Sequence, residues 1–309
     1  MAVSDGPATH RAFIYSNRDE YCAVVGGFIR EGLRAGERAN VVATPERLSW
    51  IRQELGPDSD GVVFTDATEA TPILSHATRA TLQYLAEQEA PTRVIAERHL
   101  ARLRPFELRD YARMEAAANV VFRRFPVRFL CPYDGTTLGA DVLDACRYTH
   151  PEMMDPGGSR PNPHFVDPGS FIASSTAVVP PPPAARSLAF ASTADVPAAR
   201  RFVSEGVRDA GVDTPTGEDI VLAAVEVLTN AILHGRAPRT LHMYEEAGAL
   251  VVHVHDRGPG PGDPLSGFSP PAVAVTHGRG LWMARQLCNA VEVATDGSGT
   301  HVRLISRLV

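Results

Sequence analysis

Residues 219–235 read D-I-V-L-A-A-V-E-V-L-T-N-A-I-L-H-G, and this stretch decides the fold of the C-terminal part of the chain. Its spacing predicts an amphipathic helix whose apolar face consists of Ile220, Val221, Ala224, Val227, Leu228, Ala231 and Ile232. Glu226, Asn230 and His234 follow one another at intervals of four and lie together beside that face. Gly235 is placed to end the helix. A carboxylate and a carboxamide one turn apart suit proton transfer and cation binding, although many solvated helix faces show the same pair.

Three glycine-containing motifs come after this helix. D-R-G-P-G at 256–260 comes directly after a strand-like run at 251–255, H-G-R-G-L at 277–281 opens a helical run, and G-S-G-T occupies 297–300. One such motif alone carries little information. Together with the helix they form an ordered set, E-x-x-x-N, D-x-G-x-G, G-x-G-L and G-T, each in a fitting secondary structure.

This ordered set resembles the N, G1, G2 and terminal boxes of the GHKL (Bergerat-fold) ATPases. It is most similar to the anti-sigma-factor serine/threonine kinase branch, whose N box often continues into H-G, as His234 and Gly235 do. The resemblance implies an α+β sandwich, with helices on one face of a mostly antiparallel sheet. It also implies ATP and Mg²⁺ as cofactors.

The resemblance gives each motif residue a role. Glu226 would orient or deprotonate the attacking hydroxyl, Asn230 would bind Mg²⁺, and Asp256 would accept the exocyclic amine of adenine. The other nucleotide-binding residues that it implies are His234, Gly258, Gly260, Gly278, Arg279, Gly280, Leu281, Gly299 and Thr300. The role of His234 is left open between a phosphate contact and the helix end.

Composition narrows the remaining function classes. The 309 residues suffice for two domains, and 44% apolar with 21% charged residues is typical of globular proteins. The chain contains no lysine, so its 30 basic residues are all arginine. This excludes a Walker-A phosphate loop and Schiff-base chemistry. The four cysteines have no C-x-x-C spacing and indicate neither a disulfide framework nor a zinc knuckle.

Charge and hydropathy patterning bear on partners and location. A net charge of −6 argues against direct nucleic-acid binding. We see neither an apolar run of membrane-spanning length nor a signal-type N-terminal segment, so we expect a cytoplasmic protein with no membrane partner.

The first 150 residues alternate between short apolar runs and amphipathic runs. Strands are predicted at 12–15, 39–43, 62–64, 93–96 and 127–131, and helices at 18–35, 45–55, 72–87, 107–122 and 138–148. This alternation predicts an α/β domain with a mostly parallel sheet covered on both faces. Ligands of such sheets bind at the carboxyl ends of the strands. The sensory pocket predicted there consists of Ser16, Glu97, Arg98, Cys131, Tyr133 and Asp134.

This N-terminal part resembles the MEDS domain, a sensory domain first described for methanogen and methylotroph regulators and related to ATPase cores without a phosphate loop. The resemblance rests on His10, on F-I-R-E-G-L at 28–33 with G-E at 36–37, on C-P-Y-D at 131–134 and on Y-T-H-P at 148–151. It implies a sensor and not an enzyme, in agreement with the missing lysine.

His10, Cys131 and His150 are candidate metal ligands. We expect them not to converge, because strand polarity places His10 and Cys131 at opposite ends of the sheet. The favoured interpretation is a strand-end histidine, a small core cysteine and a helix-ending histidine.

The chain is assigned three segments. Residues 1–150 form the MEDS-like sensory domain, 151–186 a proline-rich linker whose P-P-P-P run at 180–183 is semi-rigid, and 187–309 the ATPase domain. The last is predicted to contain strands at 187–191, 240–244, 250–255, 291–294 and 301–306, helices at 196–210, 215–233 and 280–289, and an ATP lid at 261–277.

The function implied is an anti-sigma regulatory factor that sequesters a sigma factor and phosphorylates a Ser/Thr of a STAS-type antagonist, under control of the N-terminal sensor. One alternative is a nucleotide-dependent anti-sigma binding module without kinase activity. Glu226 favours the kinase, because binding alone would not require a carboxylate at that position. A sensor histidine kinase is disfavoured, because His164 lies in P-N-P-H-F, which cannot form a helix interior. A homodimer is left open.

Overall fold

The computed structural model describes residues 8–68, 73–271 and 278–308, and the chain divides into two compact units. The first unit ends at Phe171 and the second begins at Ile172, with the short segment Pro72–His76 grouped with the second. Both predicted fold classes are confirmed, as the two sheets show.

The first unit contains a seven-stranded sheet with strand order β3-β2-β4-β5-β1-β6-β7. Neighbouring strands are parallel except for β6 and β7. Along the chain from Thr9 to Ser175, the elements are β1 (Thr9–Tyr15), α1 (Arg18–Arg34), β2 (Arg38–Ala43), α2 (Pro45–Leu55), β3 (Val62–Asp66), α3 (Ser75–Ala86), β4 (Thr92–Ala96), α4 (Pro105–Val121), β5 (Val127–Asp134), α5 (Ala140–Thr149), β6 (Glu152–Asp155), β7 (Gly158–Pro161) and α6 (Pro168–Ser175).

The F-I-R-E-G-L motif of α1 has a packing reason. A Cβ on Gly32 would lie 2.5 Å from Cδ of Arg93, so only glycine leaves room for that side chain. The Arg93 guanidinium donates to the carbonyl of Phe28 at 2.6 Å and to the Glu31 carboxylate at 2.8 Å, and it also pairs with Glu37. The motif therefore joins α1 to β4 through one buried arginine.

The pairing of β1 with β5 corrects the strand-polarity argument. The two strands are parallel, with His10 opposite Phe129 and Ala12 opposite Cys131. Strand β1 begins before His10, and β5 continues past Cys131 to Asp134, so both residues lie inside their strands. The predicted strands were too short at these two ends, and the expectation that His10 and Cys131 lie far apart was wrong.

The predicted linker at 151–186 was wrong over its first part. Strands β6 and β7 lie within it and extend the sheet beside β1, and α6 comes after them. Residues 176–185, which include the four consecutive prolines, form neither helix nor strand.

The second unit contains an antiparallel five-stranded sheet with strand order β11-β12-β10-β9-β8. Its elements are β8 (Arg186–Phe190), α7 (Val196–Asp209), α8 (Thr214–His234), β9 (Arg239–Glu246), β10 (Ala249–Asp256), α9 (Gly280–Leu287), β11 (Ala290–Asp296) and β12 (Gly299–Arg307). The predicted apolar face of α8 packs into the core with residues of α7, α9 and the sheet. The described helices include none long and apolar enough to cross a membrane.

Candidate functional site

A cavity of about 290 Å³ lies beside α8 in the second unit. Its lining includes seven of the residues predicted to bind the nucleotide, namely Asn230, His234, Asp256, Gly260, Gly278, Leu281 and Thr300. Apolar side chains complete the walls, among them Val227, Val254, Val293 and Val302. Mostly apolar walls with a few fixed polar groups suit a flat ring that carries hydrogen-bonding groups at its edge.

Asp256 is the buried polar group at the end of β10. Its Oδ1 accepts hydrogen bonds from the backbone amides of Gly258, at 2.5 Å, and Arg236, at 3.2 Å. Thr300, its partner in the register of β12, donates from Oγ1 to the carbonyl of Gly258 at 2.9 Å. These bonds fix the rotation of the carboxylate and the path of the glycine loop behind it.

Close backbone approach explains two glycines at this point. A Cβ on Gly258 would lie 2.5 Å from Asp256 Oδ1 and 2.8 Å from the Cα of Gly235. A Cβ on Gly235 would overlap the same carboxylate. Gly235 does end α8, but with φ −84°, so what requires glycine there is the nearness of Asp256 and not a left-handed turn.

Glu226 and Asn230 meet the start of α9. A Cβ on Gly280 would lie 2.6 Å from Asn230 Nδ2 and 3.2 Å from Glu226 Oε2. The first residue of α9 is thus within contact distance of both predicted polar groups of α8. A helix N-terminus presents free amides and partial positive charge, which favours an anionic group at this place.

The other predicted members differ in exposure. His234 is exposed at the end of α8, and Arg279 is exposed directly before α9. Gly299 opens β12 next to Thr300 and does not line the cavity. Of the predicted lid, residues 272–277 lie outside the described residues, while Pro261, Ser266 and Gly267 line the cavity.

Sequence reasoning missed Arg239, which caps the end of α8. Its Nε donates to the carbonyl of Ala231 at 2.7 Å, and its Nη2 lies 3.3 Å from the carbonyls of Ile232 and Gly235. A cation at a helix C-terminus is favourable. The arginine four residues after Gly235 was the available signal.

The predicted sensory pocket does not form one site. Glu97 and Asp134 lie on the face that carries Tyr15 and Arg47. The Tyr15 hydroxyl donates to Glu97 at 2.7 Å, and Arg47 Nη2 donates to Asp134 at 3.1 Å. Burial raises the pKa of Glu97, although Tyr15 and Arg47 oppose that shift. Ser16, by contrast, is exposed.

Cys131 and Tyr133 point to the opposite face of the sheet. The Tyr133 hydroxyl is 3.4 Å from that of Tyr111, and its ring meets His150 edge-on. Burial lowers the pKa of Arg98, whose charge is attracted by Tyr111 and Glu115. Because successive residues of a strand face opposite sides, the C-P-Y-D motif cannot line one pocket. The single-pocket prediction was therefore wrong.

Comparison with known families covers most of the chain. Residues 9–151 match the MEDS family, described as the MEthanogen/methylotroph, DcmR Sensory domain. Residues 190–306 match the family described as histidine kinase-like ATPase domain. A search among curated proteins finds no match.

Proposed function

From a chain that joins a MEDS sensory domain to a histidine kinase-like ATPase domain, we propose an ATP-dependent anti-sigma protein kinase. It binds a sigma factor and phosphorylates a serine or threonine of a STAS-type antagonist. The N-terminal domain controls this activity. The observation that carries the kinase proposal is the meeting of Glu226 and Asn230 with the first residue of α9, beside the cavity.

The nucleotide is oriented by groups whose positions are already fixed. Oδ1 of Asp256 is held by two backbone amides, and its other carboxylate oxygen accepts a hydrogen bond from the adenine amine. The apolar walls of the cavity hold the ring. Gly278 and the start of α9, where amides and Arg279 favour negative charge, would hold the phosphates.

The residues present fit a magnesium ion. An amide oxygen of Asn230 is a hard donor of the kind that Mg²⁺ takes together with phosphate oxygens, and the Glu226 carboxylate is near it. Bound Mg²⁺ offsets phosphate charge. The protein's own part is to hold Asn230 against Gly280 at the phosphate end of the cavity.

Glu226 moves the proton. The serine oxygen of the antagonist forms a bond to the γ-phosphorus, the bond from that phosphorus to the β,γ-bridging oxygen breaks, and ADP leaves. The hydroxyl proton passes to the Glu226 carboxylate. General-base assistance of this kind contributes about 10²–10⁴-fold to a rate.

The test is transfer of label from γ-labelled ATP to a STAS-type antagonist by the full chain. Glu226→Gln should keep the rise in melting temperature that ATP and Mg²⁺ cause, and should lose about 10²–10⁴-fold in transfer rate. Asp256→Asn should lose the ATP-dependent rise itself. Glu218→Gln, an exposed carboxylate on the same helix, is the matched control and should change neither.

Two results would count against the proposal in different ways. A wild-type chain that binds ATP and a sigma factor but transfers no label is a nucleotide-dependent binding module. A melting temperature that is indifferent to millimolar ATP would overturn nucleotide binding itself.

A further inference from the structure

Four side chains with metal-binding atoms converge in the first unit. His10 comes from β1, Cys131 from β5, Glu115 from α4, and His150 lies directly after α5. One ligand atom from each lies within 4.8 Å of all the others. The two histidines and the cysteine are buried, and the Glu115 side chain is 15% exposed.

The hydrogen bonds of His150 decide which of its nitrogens carries a proton. Nδ1 lies 2.8 Å from the carbonyl oxygen of Cys146, which can only accept, so Nδ1 carries the hydrogen. In the neutral ring the lone pair is then on Nε2, 3.2 Å from Oε2 of Glu115. Among the described residues, neither of these two buried atoms makes a hydrogen bond.

Asn119 decides the same question for His10. The two N–H groups of its Nδ2 are directed at three carbonyl oxygens, those of Glu115, Ala116 and Thr149, at 3.3, 3.0 and 2.9 Å. Its Oδ1 is therefore the acceptor facing His10 Nδ1 at 3.2 Å, and that nitrogen carries the hydrogen. The lone pair of His10 Nε2 then faces Glu115 Oε2 at 3.2 Å and Cys131 Sγ at 3.4 Å.

With both rings neutral, electron pairs from two nitrogens and a carboxylate oxygen point at one another. Burial lowers the pKa of His150 and so opposes a second proton on that ring. A cation at the centre satisfies all these groups at once.

Three of the separations between ligand atoms match those around a bound zinc-class ion. Metal–nitrogen and metal–oxygen bonds of about 2.0 Å, and a metal–sulfur bond of about 2.3 Å, put tetrahedral ligand atoms about 3.3 Å (N to O) and 3.5 Å (N to S) apart. The observed separations are 3.2 Å for both histidine–glutamate pairs and 3.4 Å for His10–Cys131.

We propose that His10, Glu115, Cys131 and His150 form a binding site for a divalent transition metal of the zinc class. Imidazole and thiolate ligands select such ions over Mg²⁺ or Ca²⁺. The N–H of the other ring nitrogen of each histidine donates a hydrogen bond to a carbonyl or amide oxygen, as is usual for metal-binding histidines.

The protons and charges balance. Burial raises the pKa of the Cys131 thiol, so the free site holds S–H, and metal binding releases that proton to solvent as the sulfur–metal bond forms. Thiolate and carboxylate then carry two negative charges, which offset the divalent ion. Because the ligands come from four separate parts of the unit, binding ties β1, α4, β5 and the end of α5 together.

Cobalt and zinc binding to the purified, metal-stripped full chain test the site. Co²⁺ should bind in a 1:1 ratio and give the thiolate-to-metal charge-transfer band and the strong d–d bands of four-coordinate cobalt. Zn²⁺ should displace it. Cys131→Ser should remove the charge-transfer band and weaken Zn²⁺ binding at least tenfold, measured by competition with a chromophoric chelator.

Two further variants separate ligation from general damage. Cys146→Ser removes another buried thiol whose sulfur is outside the set, and should leave the band intact. Asn119→Ala removes a positioning residue and should weaken Zn²⁺ binding by about 10–100-fold while the charge-transfer band persists at saturating Co²⁺. A wild-type chain that gives only the weak spectrum of six-coordinate cobalt, or a Cys131→Ser chain that binds Zn²⁺ as tightly as wild type, would overturn the proposal.

Discussion

Acid should destabilise the ATPase unit, and most strongly through His253. His253 lies on β10, fully buried, with Nε2 3.0 Å from His301 Nδ1 and Nδ1 3.4 Å from the Tyr244 hydroxyl. Burial lowers its pKa to about 3, and nearby positive or protonatable groups add to this shift. Those groups are His301, His242, Arg303 and His255.

The direction of the effect depends on the pH at which His253 takes up a proton in the unfolded and in the folded state. The pKa of His253 is near 6.5 in the unfolded chain and about 3 in the folded unit. As pH falls, the unfolded state is protonated first, so the stabilisation is complete above about pH 6.5 and is lost progressively toward pH 3. Between pH 7 and pH 5, His253 alone accounts for about 2 kcal/mol of lost unfolding free energy.

Urea unfolding at pH 7, 6 and 5 measures this loss. The chain has two tryptophans, so a Trp50→Phe background leaves Trp282 of α9 as the reporter of the second unit. His253→Gln should flatten the pH dependence by about 2 kcal/mol, while His164→Gln, at an exposed position, should not change it. Equal unfolding free energies of the wild type at pH 5 and pH 7 would refute the reasoning.

Three further predictions concern the second unit and the segment before it. Gly280→Ala should weaken nucleotide binding or phosphoryl transfer by about 10–100-fold, because the added Cβ meets Asn230. Gly297→Ala is the control, since its added Cβ has no close neighbour, and it should be neutral in the same assays. Arg239→Ala should lower the unfolding free energy of the second unit by about 1–3 kcal/mol in urea, because three helix-end carbonyls lose a charged donor. Limited proteolysis should cut first within 176–185, and a first cut inside β6 or β7 would contradict it.

The ATPase unit was predictable because its signals are local in sequence. The apolar spacing of 219–235 specifies which face of α8 is buried, and the order of the glycine motifs specifies the strands and the helix that come after α8. Contacts between motifs that are distant in sequence could not be predicted from such local signals. Asp256 lies against Gly235, twenty-one residues earlier, and only the folded chain shows that this glycine makes room for a carboxylate.

The N-terminal unit was harder, for two physical reasons. Proline and glycine mark both linkers and tight hairpins, so 152–161 looked like a linker, although Gly158, with φ +115°, is part of a hairpin turn. Strand ends are the second difficulty. The predicted β5 ended at Cys131, whereas the observed strand continues to Asp134. The prediction therefore placed Cys131 at the end of its strand and not beside His10, where the structure has it.

The two faces of the N-terminal sheet differ in what they can sense. On one face Glu97 and Asp134 already pair with Tyr15 and Arg47, so a ligand there would have to displace bonds of 2.7 and 3.1 Å that the protein makes with itself. On the other face, Nε2 of His10 and of His150 each lie 3.2 Å from the Glu115 carboxylate, and the bond that a metal ion would displace is the 3.4 Å contact between the Cys131 thiol and His10. A signal is read only if it favours one state of the protein over another. An ion at the proposed site would add bonds between β1, α4, β5 and the end of α5 that the metal-free unit does not have, and those bonds would be the difference between two states that such a readout requires.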